Sequence, residues 1–148
     1  MHLIKMTDVF SKEKRSEVMG RIKSKNTKPE LLVRRFLFGL GFRFRIHSKK
    51  LPGRPDIVLK KYNTVILING CFWHGHEMCK IFKMPQSNTK YWESKIKCNI
   101  SNDQRNISML ENLGWKVIVI WECQLKRALV LDTLNGLVNK ILKGITTT

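Results

Sequence analysis

Four residues have the types and spacing of a metal site. Cys71, His76 and Cys79 lie within nine residues of one another, and Cys123 follows a strongly predicted strand. Structural zinc sites take four Cys or His ligands in a tetrahedron and leave no open position, so we expect an ion held here to stabilise a loop and not to catalyse. Two alternatives stay open: small buried cysteines beside a surface histidine, and His74 in place of His76 as a ligand.

A second group of polar residues has the chemistry of metal-assisted hydrolysis. Asp56 follows a proline-rich turn at the start of a predicted strand, and it is the only acidic residue between Glu30 and Glu77. Mg²⁺ favours one or two protein carboxylates together with substrate oxygens. Glu30 and His74 are candidate partners, with His74 as a general acid or base. The alternative is a turn aspartate that hydrogen-bonds its own backbone.

Large aromatic residues stand in and near the same loop. Phe72 and Trp73 lie outside any periodic pattern, and Trp92 lies in the next predicted helix. Proteins that deform DNA insert such side chains between base steps. Trp92 shares a helical stripe with Ile96 and Ile100, which favours a core position for it. For Phe72 and Trp73 the pattern leaves both interpretations open.

The composition indicates a basic, compact domain. The chain has 148 residues, with 28 Lys and Arg against 11 Asp and Glu and a formal net charge of +17. Such a charge attracts polyanions, most commonly nucleic acid, although an anionic membrane surface or an acidic protein stays open. No apolar window of about 18 residues and no secretory signal is found, so we expect a cytosolic protein without a membrane span.

Hydrophobic periodicity predicts an α/β domain with a mixed sheet. Thr27 is the expected cap of the second helix, with Glu30 completing a capping box and Gly41 ending the helix. Cys98, in a later helix, is expected to be a packing residue. The predicted helices cover 11–23, 28–40, 89–113 (with a break near 99–101) and an apolar stripe over 134–145. The predicted strands cover 42–47, 56–59, 64–68 and 115–121.

Three motifs together resemble one known family. They are residues 51–56 (LPGRPD), 69–76 (NGCFWHGH) and 119–123 (VIWEC), and residues 7–11 and 15–19 are similar to the family's N-terminal arm. In order and spacing they resemble the very short patch repair (Vsr) DNA mismatch endonucleases, over roughly residues 6–125. Ile68 departs from a polar residue of some members, and the spacing from His76 to Cys79 varies among them.

The resemblance implies a restriction-endonuclease-like fold, which is a mixed sheet flanked by helices with a structural zinc site. It implies one endonuclease domain over 1–148, with an N-terminal arm at 1–25 and a C-terminal helix at 126–148. The implied reaction is Mg²⁺-dependent nicking of one DNA strand on the 5′ side of the thymine of a T·G mismatch, the product of 5-methylcytosine deamination.

The resemblance also implies roles for individual residues. Asp56 matches the metal-binding aspartate, with the main-chain carbonyl of Ile68 as a second ligand, and His74 matches the catalytic histidine. Glu30 and Asp103 match supporting acidic positions. The implied zinc ligands are Cys71, His76, Cys79 and Cys123, and the implied intercalating aromatics are Phe72, Trp73 and Trp92.

The implied setting is the bacterial cytoplasm at the nucleoid, where a monomer acts on double-stranded DNA with a MutL-type repair protein as a further partner. Two rival functions fit much of the same pattern. One is a restriction-type nuclease of the same fold that cuts both strands of matched DNA. The other is a zinc-stabilised DNA-binding module without catalysis, which leaves the pairing of Asp56 with His74 unexplained.

Overall fold

A computed structural model describes residues 25–77 and 79–143. The predicted helix over 11–23 and the arm that contains it therefore lie outside the described residues. The elements are α1 (Lys28–Gly39), β1 (Arg45–Ile46), β2 (Ile57–Leu59), β3 (Thr64–Asn69), α2 (Thr89–Asn112), β4 (Lys116–Trp121) and α3 (Val130–Leu142). Short 3-10 turns cover Lys60–Tyr62 and Glu122–Leu125. Among the described helices, none is long and apolar enough to cross a membrane.

The four strands form one mixed sheet in the order β1-β2-β3-β4. β1 to β3 run antiparallel, and β3 and β4 run parallel. A left-handed backbone at Asn63 (φ 47°) permits the tight β2–β3 connection, whereas the parallel pair needs the longer crossover through α2. The predicted meander followed by a helical crossover is confirmed. Because β3 and β4 are parallel, the loops after both strands start at the same edge of the sheet.

Helices cover both faces of the sheet. Alternate residues of a strand point to opposite faces, and β2 is buried on both: Ile57 and Leu59 belong to one core cluster and Val58 to another. The first cluster includes residues of α1 and α3, and the second includes Leu110 of α2. The described chain is thus a mixed α/β structure with three helices, while its likeness to restriction endonucleases stays a prediction.

The predicted strand over 42–47 is shorter in the structure. Only Arg45 and Ile46 pair with β2. Phe42 is buried and its ring packs against Tyr62, with centroids 5.5 Å apart, while the Arg43 guanidinium donates a hydrogen bond to the Phe42 carbonyl oxygen at 3.0 Å. The backbone before Arg45 is therefore held by these local contacts and not by a strand ladder.

The start of α1 differs from the prediction in one detail. Thr27 caps the helix, because its hydroxyl accepts a hydrogen bond from the Glu30 N–H at 3.4 Å, and Gly41 follows the helix in a left-handed conformation (φ 94°). The reciprocal half of the capping box is not formed with Thr27. The Glu30 carboxylate instead accepts from the N–H of Asn26 at 3.0 Å, one residue earlier.

The predicted break near 99–101 is wrong, since α2 runs unbroken from Thr89 to Asn112. Asparagine favours helix ends when its side chain competes for the local backbone. Here the Asn99 amide donates to the carbonyl oxygen of Trp73 at 2.8 Å, so a tertiary contact occupies that side chain. The contact ties α2 to the loop after β3.

Candidate active site and metal centre

A cleft of about 960 Å³ collects the residues predicted to act on the scissile phosphate. It lies where α1, the start of β2, the end of β3 and the middle of α2 meet. The predicted residues that line it are Glu30, Asp56, Ile68, Trp73, His74 and Asp103. Residues that are far apart in the chain are therefore neighbours in space, as the predicted chemistry requires.

Asp56 is half-buried and held by the neighbouring strand. Its Oδ2 accepts a hydrogen bond from the Ile68 N–H at 2.7 Å, so the interpretation as a turn aspartate bonded to its own backbone is wrong. Burial raises the pKa of Asp56 to about 6, the Ile68 N–H opposes this rise, and the charge of Glu30 adds to it. Because burial disfavours the charged form of this carboxylate, a cation bound beside Asp56 would stabilise that form.

Glu30 is nearly fully buried, at 3% exposure, and is fixed by several groups. Its Oε2 accepts hydrogen bonds from the Asn26 N–H at 3.0 Å and from Arg34 Nη2 at 2.9 Å. The same oxygen lies 3.0 Å from His47 Nε2. A buried carboxylate with such partners keeps one orientation in the cleft.

His47 is a site residue that sequence reasoning missed. The predicted strand over 42–47 includes His47 without giving it a role, yet it is half-buried and its ring reaches Glu30. Ligand atoms of Glu30, His47 and Asp56 all lie within 4.8 Å of one another. The strand register explains this position. β1 pairs Ile46 with Ile57 in antiparallel order, so the next residue, His47, lies beside Asp56. Only knowledge of that pairing could have identified His47 from the sequence.

His74 and Asp103 form a close pair from different elements. His74 lies in the loop after β3 and Asp103 lies in α2, and His74 Nδ1 is 2.5 Å from Asp103 Oδ2. A carboxylate accepts a hydrogen bond, so this contact favours the tautomer of His74 that has its hydrogen on Nδ1 and a lone pair on Nε2. This arrangement equips His74 to accept a proton.

The predicted Cys and His ligands converge in a second cluster. Ligand atoms of Cys71, His76, Cys79 and Cys123 lie within 4.8 Å of one another, and could hold a metal ion. Cys71 and Cys123 follow the adjacent parallel strands β3 and β4. Cys123 Sγ lies 3.5 Å from His76 Nδ1, and a tetrahedral zinc ion with ordinary bond lengths separates sulfur and nitrogen ligands by about 3.5 Å. The donor set therefore fits zinc.

Neighbouring contacts select His76 over His74 for this cluster. The His76 ring stacks on Trp121 with centroids 4.1 Å apart and planes 7° apart, whereas His74 is engaged by Asp103. Burial raises the pKa of the Cys71 thiol to about 12, so the thiolate form requires a cation. Cys98 is outside the cluster and exposed, so its predicted packing role is wrong.

The three predicted aromatics pack against one another. Phe72 contacts Trp73 and Trp92 with centroids 5.2 and 5.4 Å apart, and the two tryptophans are 5.9 Å apart. All three are half-buried, so Trp92 is not the ordinary core residue that its helical stripe favoured. Phe82 and Tyr91 extend this aromatic cluster, and Tyr91 is 60% exposed.

Basic side chains line the cleft beside the aromatic cluster. They come from four separate parts of the chain and face the same space as the candidate catalytic residues. They are Lys25, Lys28, Lys49, Arg54 and Lys126. Such a surface attracts phosphates whatever the base sequence.

Comparison with known proteins identifies the family. Residues 7–80 match the sequence profile described as DNA mismatch endonuclease Vsr. The chain belongs to the Vsr DNA mismatch endonuclease family. The resemblance expected from the three motifs is thereby confirmed.

Relatives across the Vsr family cover most of the chain. It is 53% identical over 137 residues to the type II nicking enzyme V.NmeAIP of Neisseria meningitidis, covering 92% of this chain and 97% of that protein. It is 48% identical over 120 residues to V.XorIIP of Xanthomonas oryzae, covering 81% and 88%. With the DNA mismatch endonuclease Vsr of Escherichia coli it shares 44% identity over 121 residues, covering 82% and 77%.

One glycine in this Vsr chain is required by close packing. Gly75 stands between His74 and His76 with φ 61°, and a Cβ there would lie 2.7 Å from Ile100 Cδ1 and 2.8 Å from Ile96 Cγ2. Gly75→Ala is expected to lower the free energy of unfolding by about 1–3 kcal/mol and to reduce endonuclease activity, because alanine would be strained at this φ and would crowd Ile96 and Ile100 in the loop that carries both histidines. Thermal unfolding and a nicking assay test this.

The matched control is Gly39→Ala, since a Cβ at Gly39 meets nothing within 4 Å. It is expected to leave endonuclease activity near its original value and stability equal or slightly higher, because alanine favours a helix over glycine. Equal stability and activity in the Gly75→Ala and Gly39→Ala proteins would contradict the packing argument.

Proposed function

We propose that this protein is a Mg²⁺-dependent DNA endonuclease that nicks one strand on the 5′ side of the thymine in a T·G mismatch. It thereby initiates very short patch repair of deaminated 5-methylcytosine. The observation that carries the proposal is the convergence of Asp56 with the His74–Asp103 pair in one basic cleft, in a chain of the Vsr family. The printed names of relatives, mismatch endonuclease and nicking enzyme, support it.

Two oxygen donors at the cleft suit Mg²⁺. We assign the ion to the Asp56 carboxylate and the main-chain carbonyl of Ile68, which are hard ligands of the kind that this ion prefers. When bound, Mg²⁺ supplies positive charge to a phosphodiester anion and makes a nearby water more acidic. The raised pKa of Asp56 supports the assignment, because a bound cation offsets the cost of the buried charge.

The protein's own groups then handle the proton. His74 Nε2 accepts the proton of the attacking water, and Asp103 holds the ring through Nδ1. Glu30, whose carboxylate lies within 4.8 Å of the Asp56 ligand atom, orients groups at the cation. Cys71, His76, Cys79 and Cys123 hold a structural zinc ion that fixes the loop carrying His74.

Deformability of the mismatch supplies the selectivity. A T·G wobble pair stacks less well than a matched pair, so separating it from its neighbours costs less energy. Phe72, Trp73 and Trp92 are the side chains that enter beside it, and their mutual packing keeps them rigid. Double-stranded DNA is thus the partner. By the family resemblance, a monomer in the bacterial cytoplasm and a MutL-type protein complete the proposed setting.

Trp73→Ala is expected to lower the ratio of nicking rates on T·G and matched T·A duplexes about tenfold, since one base–aromatic contact contributes about 1–3 kcal/mol. Steady-state rates on the two duplexes give the ratio. Phe38→Ala is the control, because Phe38 is an exposed aromatic on α1 outside the aromatic cluster. An unchanged ratio in Trp73→Ala would mean that the ring only packs.

A plasmid assay separates this function from its two rivals. Closed circular DNA carrying one T·G pair, in each of a panel of flanking sequences, is incubated with and without Mg²⁺. The proposal predicts open circles, only with Mg²⁺ and only from mismatched plasmid. Linear product from matched plasmid would favour the restriction-type nuclease, and binding without cleavage across the panel would favour the binding module.

A further inference from the structure

Arg34 contacts two residues that line the cleft, Glu30 and His47, and neither the resemblance nor the sequence patterns gave it a role. It lies on α1, one turn after Glu30, and its side chain is only 12% exposed. Nη1 donates to Asn26 Oδ1 at 2.8 Å and Nη2 donates to Glu30 Oε2 at 2.9 Å. Nη2 also lies 3.0 Å from His47 Nε2. One guanidinium thus contacts Asn26 and both of the residues, Glu30 and His47, whose ligand atoms lie near Asp56.

The spacing of Glu30, His47 and Asp56 would by itself suit a divalent cation. Such an ion binds its ligands at about 2.1 Å. Glu30 Oε2, however, already accepts hydrogen bonds from the Asn26 N–H and Arg34 Nη2 and lies 3.0 Å from His47 Nε2. An ion at bonding distance from Oε2 would have to displace one of these contacts beside the fixed positive charge of the guanidinium, so we expect the ion to bind away from Glu30.

We propose that Arg34 and His47 are positioning residues of the cation site. The Arg34 guanidinium contacts both Glu30 and His47, holds the Glu30 carboxylate close to Asp56, and confines a divalent cation to the Asp56 side of the cleft. The inference rests on the proposed function in one respect, the assignment of Asp56 as the cation ligand. Arginine is always charged, so this fixed charge does not vary with pH.

The backbone at His47 supports a positioning role. His47 has φ 48°, an uncommon conformation for a residue with a side chain, and its N–H donates to the Asp56 carbonyl oxygen at 3.4 Å. The chain thus holds His47 in a strained conformation directly beside Asp56. Asparagine tolerates this conformation well, so His47→Asn removes the imidazole with little change in backbone preference.

Mn²⁺ binding to the zinc-loaded, DNA-free full chain tests the proposal, with electron paramagnetic resonance measuring the free ion. We expect one Mn²⁺ site that Asp56→Asn removes. His47→Asn and Arg34→Lys are each expected to raise its dissociation constant about tenfold or more, in the range typical of residues that orient metal ligands. The melting temperature of His47→Asn and the DNA affinity of both variants without Mg²⁺ should stay unchanged. Arg35→Lys, at an exposed neighbour on α1, is the control and should leave Mn²⁺ binding unaltered.

Three outcomes would overturn the proposal: an unchanged dissociation constant in His47→Asn, tighter Mn²⁺ binding in Arg34→Lys, or no Mn²⁺ site that depends on Asp56. Should Arg34→Lys fail to fold, His47→Asn alone decides. Because the readout is ion binding without DNA, a wild-type protein that binds Mn²⁺ but does not nick T·G duplexes would refute the proposed function and leave this inference standing.

Discussion

Replacing Asp56 with asparagine is expected to abolish nicking and at the same time to stabilise the folded protein. Activity is lost because a neutral amide is a poor ligand for Mg²⁺. Stability is gained because burial makes the Asp56 charge costly, as the pKa of about 6 against an ordinary 3.8 indicates. That difference corresponds to at most about 3 kcal/mol, and partial exposure reduces it to about 1–2 kcal/mol.

The gain in stability is expected to depend on pH. The folded-state pKa of Asp56 is raised, so between about 4 and 6 the folded state binds more protons than the unfolded state. Wild-type stability from this group therefore falls as pH rises through that window. The difference in melting temperature between Asp56→Asn and wild type should be full at pH 7, at several degrees, and should close towards pH 4.

Thermal unfolding of the zinc-loaded proteins without Mg²⁺ measures this difference. Asp132→Asn is the matched control, since Asp132 is exposed in the first turn of α3, and it should retain nicking without a stability gain. An Asp56→Asn protein that still nicks, or that is less stable than wild type at pH 7, would contradict the role given to Asp56.

Substitutions of His74 and His76 are expected to have different effects, on activity in the first case and on zinc binding and stability in the second. His74→Ala should lower the nicking rate by about 10²–10⁴, the usual contribution of a general base, while zinc content and melting temperature stay near wild type. His76→Ala should lose zinc and lower the melting temperature, because His76 belongs to the Cys and His cluster and stacks on Trp121. Single-turnover nicking, zinc analysis and thermal unfolding separate the two.

Asp103→Asn tests the contact between His74 and Asp103. It leaves the size of the side chain unchanged but removes the carboxylate that orients His74, so the rate should fall with DNA affinity unaltered. Zinc loss in His74→Ala, or full activity in either His74→Ala or Asp103→Asn, would overturn the separation of a catalytic histidine from a structural one.

Much of the fold follows from local sequence signals. Thr27 and Gly41 mark the ends of α1, and apolar periodicity identifies the central strands and α3, where Leu134, Leu137 and Ile141 are buried. Where prediction was wrong, tertiary contacts override local preference. The Asn99 side chain donates a hydrogen bond to the Trp73 carbonyl oxygen, and α2 continues past it. Phe42 is buried in the core and is not part of the strand that was predicted to include it.

The site was predictable where residue types are rare and distinctive. The Cys and His spacing led to the cluster around Cys71, and the family motifs led to Asp56 and His74. His47 and Arg34 were missed because their positions depend on geometry that no single segment carries. His47 contacts Glu30 because of the strand register and its left-handed backbone conformation. In the sequence Arg34 resembles the many other basic residues, and only its contact with Glu30 in the structure distinguishes it.

The measurement that tests the central claim most directly is cleavage of a duplex with one T·G mismatch and a different label on each strand. The duplex is placed in a range of flanking sequences and incubated with the zinc-loaded protein, with and without Mg²⁺. The account predicts one Mg²⁺-dependent cut, immediately 5′ of the mismatched thymine, with the guanine strand intact. Cuts in both strands, a cut in matched duplex, or no cut in any context despite tight DNA binding would contradict it.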